Sequence, residues 1–213
     1  MKSTQFTYDT AWKAVGGLSE PSKMPCHGWS VSAFRCKMGG KLRKVAGSVC
    51  SGCYATRNNY LYKTVQACLE RRFKALHTPA FVPAFVYLLK VLQPRYFRLY
   101  DSGDLDTVQT LKKWVAIAEA CPDVKFWLPT KEYAIVTAYL KAGGIIPLNM
   151  NVRLSAYMVD ESGPITLATR LGLTISEVSK VGYNCPASTQ GNKCLDCRKC
   201  WDRNVFAVVY KKH

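Results

Sequence analysis

The sequence predicts an α/β protein in which mainly parallel strands form a partial or complete β/α barrel carrying Cys-rich metal-binding loops. Three observations lead there. Short apolar strands alternate with amphipathic helices. Polar and charged residues cluster just after the strands. Seven of the ten cysteines fall in two loops.

Residues 1–28 read as an irregular segment broken by Gly16-Gly17, Pro21 and Pro25. Trp29-Ser-Val-Ser-Ala33 alternates and predicts the first strand. The Gly/Lys-rich loop holding Cys36, Cys50 and Cys53 follows. A helix is then expected from Thr56 to Leu76, with Val65, Leu69, Phe73 and Leu76 on its apolar face. Thr78-Pro79 opens a second helix that runs to Leu92. Tyr96–Tyr100 is a strand, ended by Asp101-Ser-Gly-Asp104. Asp104 is a candidate N-cap for a helix with the buried stripe Val108, Leu111, Val115 and Ala118. Val124–Leu128 predicts the next strand and Glu132–Ala142 the next helix, stopped by Gly143-Gly144. Asn151–Ser155 and Val205–Tyr210 complete the strands, and the sequence contains no internal repeat.

The whole chain reads as one domain: an irregular start (1–28), a β/α core (29–160) with a cluster loop at 36–53, and a C-terminal segment (161–213) with a Cys-rich loop at 185–200. Right-handed βαβ crossovers bring the strands' C-terminal ends to one rim. That rim gathers Asp101, Ser102, Gly103 and Asp104, then Lys131 and Glu132, then Arg153 and Ser155. Asp101 and Asp104 are candidates to orient a cation or an amino group, Asp104 having helix capping as its alternative. Lys131 and Glu132 form either a structural pair or an acid/base couple. Arg153 is a candidate to bind a carboxylate or phosphate, the alternative being a salt bridge to Asp101 or Asp104.

No secretory h-region opens the chain, and the longest apolar stretch, Phe81–Leu92, is interrupted by Pro83 and Lys90. A cytoplasmic protein without a membrane span is the expectation. In a reducing compartment clustered thiols bind metal more readily than they cross-link. Ten Cys against three His make the donors thiolates. Cys194, Cys197 and Cys200 run as C-x2-C-x2-C, with Cys185 as the natural fourth ligand. Such a run suits a [4Fe–4S] cubane better than zinc, whose ligands come as separated C-x2-C pairs. Cys36, Cys50 and Cys53 leave two readings open: a three-thiolate cubane, or a four-thiolate zinc site completed by Cys26. Cys68 and Cys121 are expected in the core.

Charge adds a partner class. The chain carries 30 Lys/Arg against 14 Asp/Glu, a formal +16. Residues 1–76 hold 13 Lys/Arg and 3 Asp/Glu, net +10, interleaved with Trp29, Phe34, Tyr54, Tyr60 and Tyr62. Nucleic acid is the expected anionic partner.

The stretches SKMPCHGWSVSAFRCKMGGKLRKVAGSVCSGCYATRNNY, FRLYDSGDL, FWLPTKEY, NVRLSAYMVD and CPASTQGNKCLDCRKCW resemble a phage-encoded family named after mycobacteriophage gene product 88. The order of pieces is also similar, distantly, to radical-SAM-type barrels. That resemblance implies a cubane on Cys36, Cys50 and Cys53 with one iron open to S-adenosylmethionine (SAM). It also implies an amino-group site at Asp101–Asp104 and an auxiliary cluster on Cys185, Cys194, Cys197 and Cys200. The Cys36-x13-Cys50 gap departs from the usual C-x3-C-x2-C spacing of such barrels.

Overall fold

The computed structural model describes residues 6–212. Its centre is one six-stranded sheet in the order β1 (His27–Trp29), β2 (Tyr96–Leu99), β3 (Lys125–Thr130), β4 (Met150–Val159), β5 (Thr174–Ser179), β6 (Ala207–Lys211). Every pairing is parallel. Strand order equals chain order, the arrangement that steps round a barrel. β1 and β6 nevertheless remain edges and do not pair among the described residues. The sheet is therefore open, and the complete-barrel expectation is corrected.

Alternation gives the sheet two different faces. Phe97, Leu99, Phe126, Leu128, Met150, Val152, Leu154 and Ile175 belong to the main core, under α4 (Phe81–Leu92), α5 (Val108–Ala120) and α6 (Tyr133–Lys141). Trp29 and Trp114 are fully buried there, their rings edge-on at 5.1 Å. Tyr96, Trp127, Val208 and Tyr210 instead point to the opposite, inner face, where they pack with Cys200 and Trp201. No α-helix connects β5 to β6, only two 3₁₀ turns, Pro186–Thr189 and Lys199–Trp201. The Cys-rich segment itself covers the inner face, with Trp201 Nε1 donating to Phe97 O at 3.0 Å.

Several boundaries move for identifiable reasons. Residues 1–28, expected to be irregular, contain α1 (Tyr8–Ala14), capped by the reciprocal Thr7–Thr10 box and packed by Ala11. Residues 1–5 of that segment lie outside the described ones. The first strand is His27–Trp29 rather than 29–33, because its partner β2 turns off at Tyr100, whose φ is +55. Residues 29–33 are all buried, Ser30 and Ser32 included, so their apolar/polar alternation does not mark a strand with one solvent face. Within the predicted helix 56–76, residues 58–61 form a 3₁₀ turn and α3 begins at Lys63 (Lys63–Leu76). Asp104 is not the cap of α5; Thr107 is, its hydroxyl accepting from Thr110 N at 3.1 Å. Besides α1, three elements had no predicted counterpart: α2 (Lys37–Leu42), α7 (Ile165–Leu171) and β5. No single helix among the described residues is long and apolar enough to cross a membrane.

Candidate metal centre and rim

The first thiol loop is folded and anchored. Ser32 caps a 3₁₀ turn, Ala33–Arg35, that delivers Cys36 to the start of α2. Cys50 lies in a second 3₁₀ turn, Val49–Gly52, capped by Ser48, and Cys53 follows it. Three contacts tie the loop down. Ser48 forms an antiparallel bridge with Met158 near the C-terminal end of β4. Lys37 Nζ donates to Asp106 O at 2.7 Å. Glu132, buried, accepts Met38 N at 2.7 Å. Gly39 is required by close approach: a Cβ there would stand 3.0 Å from Cys36 Cβ and 3.6 Å from both Cys36 Sγ and Cys50 Sγ. Two thiols thus converge on one glycine. Burial pushes the Cys36 and Cys50 thiols up, with the Lys131 charge opposing it at Cys50.

The motif after β2 divides its labour. Ser102 Oγ donates to Val31 O at 2.8 Å. Gly103, at φ +78, lies so close to Val31 that a Cβ would meet its Cγ2 at 2.4 Å and its carbonyl oxygen at 2.7 Å. Asp104 accepts from Thr130 Oγ1, Lys131 N at 2.8 Å and Leu105 N at 2.8 Å. Burial raises its pKa to about 6 against those bonds. These three residues hold the ends of β1, β2 and β3 together. Asp101 differs: Tyr60 OH donates to its Oδ2 at 3.0 Å, Tyr54 OH to its carbonyl, and Oδ1 is buried with no partner among the described residues. Ser155 accepts from Ser176 Oγ at 3.1 Å, beside a parallel stack of Tyr133 and Tyr157 with ring centroids 4.5 Å apart.

The proposed Lys131–Glu132 pair does not form among the described ion pairs; Glu132 serves the cysteine loop instead. Arg153 is likewise corrected. It is fully buried, and every guanidinium nitrogen is engaged by main-chain carbonyls: Nε by Cys200, Nη1 by Ile175 and Phe206, Nη2 by Lys199, Asp202 and Val205. It leaves no donor for a substrate and forms no salt bridge to Asp101 or Asp104. Its function is to clamp the C-terminal loop to the sheet.

In that loop Cys185, Cys194, Cys197 and Cys200 line one small cavity, closed by Trp201 and Val208. Cys185 N is held by Val209 O at 3.0 Å and Cys194 N by Lys23 O at 3.0 Å. Cys200 Sγ sits 3.2 Å from Tyr210 OH. Burial pushes the Cys185 and Cys194 thiols up, and that of Cys200 up to about 11. Cys26 belongs here and not with the first loop: it packs in the Trp127–Cys200–Trp201 cluster, its thiol facing Arg98 and Cys194. Burial pushes it up to about 12. The four-thiolate zinc site of Cys26 with Cys36, Cys50 and Cys53 is therefore not assembled.

No group of three or more Cys, His, Asp or Glu side chains stands at coordinating distance among the described residues. Desolvated thiols at raised pKa are neutral, and a cation reverses the balance by stabilising thiolate. An all-sulfur donor set lining one cavity fits a thiolate-ligated centre.

The sequence reading missed Arg98. It extends from β2 across the inner face, its guanidinium carbon 4.4 Å from the Trp127 ring centroid and Nη1 3.2 Å from Met24 Sδ. Burial works against its charge, but Tyr54, Asp101, Tyr210 and Cys200 outweigh that and raise its pKa. It stands between the two thiol loops. Its alternation in Tyr96-Phe-Arg-Leu, opposite to Phe97 and Leu99, was the available signal.

Around the first loop Phe34, Tyr54 and Tyr62 are 53%, 51% and 61% exposed, among exposed Lys41, Lys44, Arg57 and Lys63. Arg43 lies 5.3 Å from the Phe34 ring centroid.

Comparison with protein families gives one match: the model described as gene product 88 covers residues 4–203. No curated protein and no solved structure matches significantly.

Proposed function

The chain belongs to the gene product 88 family, and on that premise we propose that it is an iron–sulfur protein of radical-SAM-like kind that acts on or near nucleic acid. One observation carries the reading: four thiols share a single cavity at the C-terminal loop, while Cys36 and Cys50 close over Gly39 at the C-terminal rim of a sequentially ordered parallel sheet. Cys36, Cys50 and Cys53 would hold a [4Fe–4S] cluster with one iron open to SAM. Cys185, Cys194, Cys197 and Cys200 would hold a second. A cluster held at the first loop would supply single-electron reducing chemistry toward the sulfonium of SAM.

The chain's own residues support this in three ways. Glu132 fixes the backbone just after Cys36, and Ser48 fixes the turn that holds Cys50. Lys131 stabilises negative sulfur at Cys50. Arg98 places a buried positive charge beside Cys26, Cys194 and Cys200, which favours their thiolate form. Asp101 is the rim carboxylate with an acceptor to spare. Nucleic acid is the partner that the exposed aromatic and basic side chains of residues 34–63 suit best, bases stacking on rings and phosphates meeting Lys and Arg.

Protein purified without oxygen is expected to be brown, to absorb near ~400 nm, and after dithionite reduction to convert SAM to 5′-deoxyadenosine. Colourless protein carrying stoichiometric zinc would favour a zinc-stapled nucleic-acid-binding protein instead. Intact clusters without 5′-deoxyadenosine would leave a binding or redox role.

A further inference from the structure

Residues 34–63, the segment that carries the first three thiols, hold seven Lys/Arg and no Asp/Glu. Of these cations Arg35 is in an ion pair, with Glu70 at 2.8 Å; the others have no carboxylate within ion-pair distance among the described residues. All 14 acidic residues lie elsewhere in the chain, so the positive charge is local. Four large apolar side chains stand out of the same segment: Phe34, Tyr54, Leu61 and Tyr62, each more than half exposed. Folding gains by burying such groups, so several left in water on neighbouring turns mark a contact surface.

The fold gathers these side chains around the thiols. Phe34 lies in the 3₁₀ turn Ala33–Arg35, two residues before Cys36. Tyr54 opens the turn Tyr54–Thr56, directly after Cys53. Leu61 closes the turn Asn58–Leu61, and Tyr62 follows it. The second turn lies against both of the others. Tyr54 is held in place, its hydroxyl donating to Asp101 O and its ring edge-on to Tyr60 with centroids 5.8 Å apart. Arg43, beside the Phe34 ring, is fixed by a bond from Nη2 to Ala33 O at 3.0 Å. Rings and cations thus alternate on short anchored turns on both sides of one thiol loop.

That mixture narrows the partner. A bilayer surface takes cations and rings from opposite faces of an amphipathic helix, which these turns are not. An acidic peptide satisfies the cations and leaves the rings in water. A duplex offers phosphates, but its base faces are stacked on one another and out of reach. An unpaired strand offers phosphates to Lys and Arg and base faces to the rings. We infer that this patch selects single-stranded nucleic acid over duplex and lays an unpaired stretch across the mouth of the first thiol loop. The inference rests on the nucleic-acid half of the reading above, to which it adds the form of the substrate, and is independent of which metal the thiols hold.

The test is equilibrium binding, by fluorescence anisotropy, of labelled single-stranded DNA and RNA of one unstructured sequence and of a DNA duplex of matched length to the full-length protein, with phosphatidylserine vesicles as a further arm. Metal content is determined on the same sample. At least one strand is expected to bind at least about tenfold more tightly than the duplex; which strand binds better names the sugar of the substrate, and either supports the proposal. Phe34→Ala and Tyr62→Ala should each weaken strand binding at least about fivefold and leave duplex binding unchanged. Leu148→Ala, exposed just before the opposite end of β4, should alter neither. Replacing Lys41 and Lys44 together by Gln should reduce the slope of log affinity against log salt by about 1.4 for the strands. Urea unfolding establishes that each variant is folded. Duplex bound as tightly as the strands, strand binding indifferent to both ring variants, or a slope unmoved by the lysine pair overturns the proposal and leaves nucleic acid as the partner class. No binding of any nucleic acid, or binding of vesicles in its place, overturns both, whatever metal is present.

Discussion

Replacing Arg153 by Met removes the clamp on the C-terminal thiol loop while keeping side-chain length. Six carbonyl acceptors lose their donor, two of them in the loop at Lys199 and Cys200. Hydrogen bonds from a charged donor contribute about 1.5–3 kcal/mol each, but they do not add. The guanidinium also carries a desolvation cost, visible in its lowered pKa, that Met avoids. Buried carbonyls left without a donor cost about 1–3 kcal/mol each and not additively, so we take about 3–5 kcal/mol for the set. For a chain of 213 residues that corresponds to a fall in Tm of roughly 6–20 °C. Thermal and urea unfolding measure the loss, and metal analysis with visible spectroscopy shows where it acts. The second centre should empty while the first is retained, since Cys36, Cys50 and Cys53 lie in a separate loop. Arg153→Lys, with one donor group in place of a fork, should recover only a small part. A Met variant within about 1 kcal/mol of the parent that keeps both centres would refute the reasoning.

Gly39→Ala inserts a methyl group between Cys36 and Cys50, so it should release metal from the first loop with little change in global unfolding, read by metal stoichiometry and urea titration. Gly103→Ala forces a Cβ into Val31 at positive φ and should cost about 2–4 kcal/mol in urea unfolding. Asp104 titrates at about 6 in the folded protein against about 3.9 unfolded. Its contribution is fully present below pH ~4 and is lost as pH rises through ~6. Asp104→Asn should flatten the stability change between those values, measured by urea unfolding across the range.

The strand–helix alternation was legible because Phe97/Leu99, Phe126/Leu128 and Val152/Leu154 alternate against amphipathic helices that bury them. The openness of the sheet was not, since a sequential parallel order looks the same whether β1 meets β6 or stops short. β5 went unseen because Thr174-Ile-Ser-Glu-Val-Ser179 keeps polar residues on its inner face, where Thr174 bonds Asn151 and Ser176 bonds Ser155. The two cysteine groupings were read from spacing, but one of the two readings of the first loop placed Cys26 with its sequence neighbours. Its true surroundings depend on the Lys23–Cys194 contact, 171 residues apart in the chain. Arg153 misled for a related reason: a charged residue at a strand end reads as a rim ligand, and only the fold reveals six carbonyls waiting for it.

The central claim is that sulfur-ligated iron occupies two loops of this chain. Iron, acid-labile sulfide and zinc per chain, determined on protein isolated and kept without oxygen, test it most directly. Two cubanes predict about eight iron and about eight sulfide with little zinc, falling by about half in a Cys194→Ala/Cys197→Ala variant. Zinc without sulfide, or ten free thiols and no metal, would contradict it.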